Sequence, residues 1–571
     1  MTSSKSSARA PVLLLGAGAG EATCGILYLG AYLRRHGVEA SVRLFDEDVT
    51  ATDLRRSMDQ LVQHVRPRLV GISLKWFHHV ARAKLICETL KRIDPSIVTV
   101  LGGNSASLWW KELLGWGTVD HVVMGDGEAP LLALCRGVEG PPNVVSKAKP
   151  VWAPLKYVQG PSSDDVHYSH FDELFLSQLD LHSFSGWVAP GKGCAENCLY
   201  CGGARGNQKA EFGRAKPFLR SVESVQKDHR EVVPRAWQLR YDFSGSSAEF
   251  LQRAWGDVDL SRHATTYFLW GVPPKELVAT LSKAFGRVFM VLDIGCFSQA
   301  QRADLLARGL LKPCPTDAEL MDVIADCRRY PNVELEVSGI AGLPFASFET
   351  LAEERRLVQR VLDRGCVVGT QRLECQAGAL VTEHPGRFGM WAEARTFEDF
   401  VDAFSRRPIS GDGTVPMVRF LDAKLEAAVE ETCLELQHQA HEHHARAKAL
   451  TLAGRTTLKA APAARTQVSL GDWLGRYRVP AKLAAEPVTV LRSVDGVGLS
   501  LVPSIEARRF RHAALQQGDE ARALLTALES FSRPTTLEAA VGRLRGQAGL
   551  DDDAASELIE HLAECRFLVP A

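Results

Sequence analysis

Gly191-Lys-Gly-Cys-Ala-Glu-Asn-Cys-Leu-Tyr-Cys-Gly-Gly203 sets Cys194, Cys198 and Cys201 in C-x3-C-x2-C spacing. Three thiolates this close in the chain can hold three corners of a cubane iron–sulfur cluster and leave its fourth iron open to a substrate. A zinc knuckle would want a fourth Cys or His at similar short spacing, and none follows. Three unrelated buried thiols are the other alternative. Tyr200 puts an aromatic ring directly before the third cysteine.

Around this run the chain has the make-up of a soluble globular protein, with 46% hydrophobic and 24% charged residues. Its 571 residues suggest about three or four domains. A net charge of −1 gives no basic surface for nucleic acid. No apolar stretch approaches the ~18–20 residues of a membrane span, so no membrane partner is expected. Met1–Pro11 lacks the apolar core of a secretion signal. Thirteen cysteines in so long a chain are no disulfide framework. An oxygen-sensitive cluster fits a reducing cytoplasm.

Residues 1–145 alternate apolar runs (Val12–Leu15, Ala40–Phe45, Leu69–Leu74, Ile97–Leu101, His121–Met124) with helical segments such as Gly25–Arg35 and Val80–Ile93. That alternation predicts a doubly wound parallel sheet whose ligands bind beyond the carboxyl ends of its strands. The loops there are glycine-rich: Gly16-Ala-Gly-Ala-Gly20, Gly102-Gly-Asn-Ser-Ala-Ser107 and Gly125-Asp-Gly-Glu128. They suit close approach by a large flat ligand.

With these loops ahead of it, the cysteine motif resembles that of the cobalamin-binding radical S-adenosylmethionine (SAM) enzymes, the class B methyltransferases among them. The resemblance implies a [4Fe-4S] cluster on Cys194, Cys198 and Cys201, with Tyr200 beside it and SAM on the open iron. It implies cobalamin at Gly16, Gly18, Ser73, Gly102, Gly103, Ser105, Gly125, Gly127 and Glu128. The cobalt-ligating D-x-H-x-x-G signature is absent, since Phe45-Asp-Glu-Asp48 has no histidine. Cobalamin is therefore expected base-off and His-off. In such relatives the loop after the third strand lies under the cobalt. Here it is Ser73-Leu-Lys-Trp-Phe-His-His79, where Lys75 or Trp76 could block the lower face and His78 or His79 could coordinate. Core packing of Trp76 and Phe77, with both histidines solvated, is the alternative.

A linker over 146–184 leads to a catalytic domain over 185–395. Six strand-like runs fall near Trp187–Pro190, Trp237–Phe243, Thr265–Trp270, Val288–Ile294, Val333–Ile340 and Cys366–Leu373. The resemblance implies a partial (β/α)6 barrel with its site at the strand ends. SAM contacts carried over by position are Ser244 or Ser246, Asp293 and Ser298, and Gly339 and Gly342. The stretch Arg372-Leu-Glu-Cys-Gln376, after the sixth strand, could cap the adenine edge. Glu276 is a candidate oxygen ligand or base. Cys296, Cys314 and Cys375 read as buried packing or as extra ligands.

Residues 396–466 read as a helical extension and linker: a charged, His-rich helix over Glu426–Ala449, then Ala449–Thr466. In 467–571, helical patterns at Ala521–Leu528, Thr536–Arg545 and Asp552–Cys565 precede a terminal strand. This resembles a winged-helix module that recognises precursor peptides; a dimerisation or lid domain fits equally.

The resemblance implies C-methylation of a small molecule, an amino acid (tryptophan among the candidates) or a peptide precursor, fed by an external electron donor. Rivals are rearrangement, ring contraction or cyclisation with the same cofactors, and a non-catalytic binding protein. A methylthiotransferase would need a second cysteine triad, and Cys24, Cys87 and Cys135 lack its context.

Overall fold

The computed structural model describes residues 11–17, 24–45, 51–148, 185–214, 216–233, 238–241, 246–405 and 415–453. Beyond them it describes 458–460, 463–464, 488–492, 498–503, 514–517, 523, 526–527, 530, 535–564 and 568–570. Gly18, Ser244 and nearly all of the expected 146–184 linker lie outside these residues.

The first unit runs β1 (Val12–Gly16), α1 (Cys24–Arg35), β2 (Ala40–Leu44), α2 (Ala51–Val65), β3 (Leu69–Ser73), α3 (Val80–Ile93) and β4 (Val98–Gly102). It continues through α4 (Asn104–Leu108), α5 (Trp110–Gly115), β5 (His121–Val123), α6 (Glu128–Cys135) and β6 (Val144–Ser146). The strand order is β2-β1-β3-β4-β5-β6. β1 to β5 are parallel. Leu13 and Leu15 enter one core and Val12 and Leu14 the other; burial on both faces explains why β1 is apolar without alternation. Chain order reverses beside β1 and β3, which opens a crevice at their carboxyl ends. The antiparallel edge strand β6 was not foreseen, because three residues carry no readable period.

The second sheet holds six parallel strands: β7 (Ser185–Trp187), β10 (Gln238–Tyr241), β11 (Ala264–Leu269), β12 (Arg287–Asp293), β13 (Val333–Ala341) and β14 (Val367–Arg372). They lie in sequence order across the sheet, as a partial barrel requires. All six expected strands are present. A short antiparallel pair, β8 (Gly191–Lys192) and β9 (Phe218–Leu219), brackets the cysteine segment.

Strand alternation sorts the barrel's two faces. Leu239 and Tyr241 pack outward among the helices, where the Tyr241 hydroxyl meets His229 at 2.7 Å and receives the Trp255 indole N–H at 3.1 Å. Arg240 therefore faces inward. Its guanidinium lies 4.3 Å from the Trp187 ring centroid and 4.7 Å from that of Phe268. Arg287 pairs with Glu334 on the same inner surface.

Near the chain's end the helix is longer than expected, spanning Ala423–Ala453. The expected linker Ala449–Thr466 is corrected: the helix enters it, and strands Leu458–Ala460 and Ala463–Ala464 follow. Ala463–Ala464 edges a four-stranded sheet with Val488–Arg492, Gly498–Pro503 and Ala514–Gln517. Such short runs gain their strand character from non-local pairing, which a local pattern does not reveal. Helices Leu537–Ala548 and Asp552–Glu564 and strand Leu568–Pro570 match the expected end of the domain. Most of Ala521–Leu528 lies outside the described residues.

A buried ionic triad docks the first sheet unit on the barrel. The Tyr28 hydroxyl of α1 donates to Asp228 at 2.8 Å, and Arg220 donates to Asp228 at 2.6 Å and to Tyr28 at 3.3 Å. Removing one member of a buried pair leaves the other charge uncompensated. Asp228→Ala is expected to lower unfolding free energy by about 3–5 kcal/mol. A urea-unfolding midpoint within error of the parent's would show that the triad does not hold the domains.

Candidate functional site: facing cluster and corrin loops

The cysteines sit on an irregular segment between β8 and the helix Arg205–Phe212. Backbone bonds stitch it to the barrel on both sides: Leu199 N–H donates to Leu310 O at 2.9 Å, and Val381 N–H donates to Leu199 O at 3.0 Å. Gly202 N–H donates to Gln376 Oε1 at 3.1 Å, and Asn207 Nδ2 bridges Gly202 O and Gly378 O, each at 2.7 Å. A β-carbon on Gly202 would lie 2.4 Å from Ala377 O, so glycine is required for this approach. Gln376, the last residue of the stretch read as an adenine cap, has its side-chain oxygen on the cysteine loop.

Two of the thiols receive backbone donors, Cys194 Sγ from Glu196 N–H at 3.4 Å and Cys201 Sγ from Gly203 N–H at 3.3 Å. Burial pushes all three thiols up, Cys201 to about 12. Thiols so placed give up their protons when a metal takes them as ligands. Among the described residues no three His, Cys, Asp or Glu side chains draw together around a single ion. A cubane asks for a wider spread, one thiolate per corner, and NH···S bonds are among the features that set its potential. Tyr200 is buried beside these sulfurs.

Opposite lies the loop after β3. Ser73 ends the strand, and both the amide and the hydroxyl of Ser105 donate to Lys75 O, at 3.2 and 3.3 Å. Gly103, with φ +118°, follows Gly102 at the end of β4, and a β-carbon there would meet Leu74 O at 2.7 Å. Lys75 Nζ stands 5.7 Å from the Trp76 ring centroid. The far edge of Trp76 reaches the cysteine loop: its Cη2 lies 3.2 Å from where a β-carbon of Gly203 would be. Phe77 is core, packed on Phe400 and Phe404. His78 Nε2 lies 3.9 Å from a Glu374 carboxylate oxygen. Phe77 thus follows the packing alternative, whereas Trp76 does not.

The third loop behaves differently from expectation. Gly125 N–H donates to Ser107 Oγ at 3.1 Å. Asp126, however, takes Arg214 Nη2 at 2.8 and 2.7 Å, and Glu128 takes Lys192 Nζ at 2.7 Å. The Glu128 side chain, expected at cobalamin, is committed to an ion pair between the two units. Gly127 precedes it as the cap of α6. Beside Gly125 lies Glu211, whose Oε2 is buried without a hydrogen-bond partner among the described residues, and burial pushes this carboxyl up to about 8.

At the barrel strand ends, Asp293 accepts Gly295 N–H at 2.8 Å and pairs with Lys312. Ser246 Oγ is buried with no partner among the described residues. Ser298, expected at SAM, accepts Gln301 N–H as a helix cap and donates to Glu353 at 2.6 Å; its hydroxyl is occupied by structure. Gly339 packs on Phe297 and Gly342 on Val429. Glu276 stands exposed on the first turn of helix Lys275–Ala284. Cys296 and Cys375 are buried in the core. Sequence reading missed Lys312, Gln376, Asn207 and Glu211. The signal available for Lys312 was a lone charge in Leu310-Leu-Lys-Pro-Cys314.

Residues 12–135 match the B12-binding domain family. Over 221 residues, 36% of this chain, the sequence is 28% identical to the hopanoid C-3 methylase of Methylococcus capsulatus, and it spans 40% of that protein's length. The fold is similar to TsrM, a radical S-adenosylmethionine methyltransferase from Kitasatospora setae. The TsrM structure with cobalamin and a [4Fe-4S] cluster superposes with a TM-score of 0.53 at 15% identity, covering 74% of this chain and 91% of TsrM. The one with tryptophan and the SAM analogue aza-SAM gives 0.54 at 15% identity, covering 74% and 89%. Residues 12–135 thus carry a B12-binding domain, and the fold of the chain is that of the TsrM structures.

Two outcomes follow for the site. Replacing Cys194, Cys198 and Cys201 together by alanine is expected to abolish the broad ~400 nm absorbance of a thiolate-held cluster; full iron retention would contradict the assignment. For Glu211, a raised folded-state pKa means ionisation opposes folding: its penalty is absent below the unfolded value near 4.5 and grows as pH rises toward about 8. Glu211→Gln should therefore stabilise the cofactor-free protein increasingly across that window. Thermal midpoints that stay parallel with pH would refute this.

Proposed function

We propose that the chain is a cobalamin-dependent radical SAM C-methyltransferase. Its substrate is a small molecule, amino acid or peptide precursor of a natural product, with tryptophan the first candidate. The observation that carries this reading is the contact of Trp76 with the cysteine loop at Gly203. It sets the loop after β3, read here as corrin-facing, against the cysteine loop, read here as cluster-facing. Bound together, the two cofactors supply a transferable methyl group and the means to activate a carbon.

The chain's own residues orient these groups. Cys194, Cys198 and Cys201 leave one iron corner for SAM. Gly102 and Gly103 would let a corrin ring approach the backbone, and Lys75 and Trp76, on the loop after β3, would lie against it. His78 is engaged with Glu374, which favours a cobalt with no protein histidine beneath it. The inward Arg240, between Trp187 and Phe268, favours a polar aromatic substrate over a polycyclic hydrocarbon. The names of the relatives, a methylase and a methyltransferase, support methyl transfer over rearrangement. An external donor supplies electrons. Among the described residues no helix is long and apolar enough to cross a membrane.

Turnover of the reconstituted enzyme with deuterated-methyl SAM and tryptophan, followed by mass spectrometry, tests the reading. A product heavier by one labelled methyl in place of hydrogen is expected. An isomeric product of unchanged mass would replace methyl transfer with rearrangement.

A further inference from the structure

We propose that Lys312 is the electrostatic partner of the iron–sulfur cluster, a buried cation that raises the cluster's reduction potential and is balanced by Asp293. The inference rests on the cluster assignment above and goes beyond it.

Lys312 is 5% exposed. A charge that deep is costly unless it is paired, and its ammonium pairs with Asp293 at the end of β12. Nζ also lies 5.8 Å from the Tyr200 ring centroid and 5.6 Å from that of Trp270. Two aromatic faces and one carboxylate therefore define where the charge sits. Tyr200 lies between Cys198 and Cys201 in the cluster motif, so the ammonium is fixed against the segment that carries the sulfurs.

The surrounding backbone keeps it there. Leu310 O receives the Leu199 amide at 2.9 Å, and Cys314 Sγ donates to Lys312 O at 3.2 Å. Residues 310–314 thus form a rigid strip beside the cysteine loop.

The consequence is redox. Reduction adds an electron to a group already made negative by three thiolates, in a partly buried site. A nearby fixed cation stabilises the reduced state more than the oxidised one, and net charge around a cluster is one of the levers on its potential. Asp293 cancels part of that effect. The two residues should therefore act with opposite signs, which a purely structural role for the pair would not produce.

The test uses the full-length chain, reconstituted anaerobically as wild type, Lys312→Met, Lys312→Arg and Asp293→Asn. Iron and sulfide are measured first, then the cluster's midpoint potential by EPR-monitored titration without SAM. With iron content retained, Lys312→Met should shift the potential negative, Lys312→Arg should leave it near wild type, and Asp293→Asn should shift it positive. An unchanged potential in Lys312→Met at full iron content, or shifts of one sign in Lys312→Met and Asp293→Asn, would overturn the proposal. If Lys312→Met fails to hold a cluster, Asp293→Asn decides: a positive shift supports the role and no shift overturns it. A wild type that takes up no iron would instead sink the cluster assignment itself.

Discussion

Two ion pairs between the units, Asp126 with Arg214 and Glu128 with Lys192, set the geometry on which the rest depends. Both acids come from the turn after β5, at the carboxyl edge of the parallel sheet. Both bases flank the cysteine segment, Lys192 two residues before Cys194 and Arg214 just past the following helix. The pairs are half-buried or better, so salt and solvent screen them less than surface bridges. Loss of one partner would leave a charge stranded at the junction. They hold the mouth of one domain over the mouth of the other.

Within that frame each unit supplies one loop of the candidate site. The sheet offers backbone at Gly102 and Gly103, and at Gly103 a side chain would collide with the loop after β3. The barrel offers three sulfurs on a loop tied down by Gln376, Asn207, Leu310 and Val381. Trp76 spans the gap. A site assembled between two units in this way would hold two large cofactors in fixed relation to one substrate. The Tyr28–Asp228–Arg220 triad secures the same junction from the helix side.

The sheet, the six-stranded barrel and the cysteine triad were legible in the sequence because each leaves a local trace. Parallel strands buried on both faces read as apolar runs, and ligating cysteines must be close in the chain. The glycine loops were legible for the same reason. What stayed hidden was pairing across long separations. Glu128 looked like a cofactor contact because its loop matched a family signature, yet Lys192 lies 64 positions away and nothing local announces it. Gln376 and Ser298 sat at expected strand ends but serve the cysteine loop and a helix cap. Glu276 had the right chemistry and the wrong exposure. The small sheet over 463–517 escaped because its strands are short and pair non-locally.

The central claim is that one chain presents a cubane and a corrin ring to a common cavity, the latter without a protein base on cobalt. Metal analysis with EPR of anaerobically reconstituted, cobalamin-loaded protein examines both halves at once. The account predicts iron in cubane stoichiometry, cobalt equimolar with the chain, and a cobalt(II) signal free of nitrogen splitting. Zinc in place of iron, or a cobalt signal split by a nitrogen ligand, would contradict it.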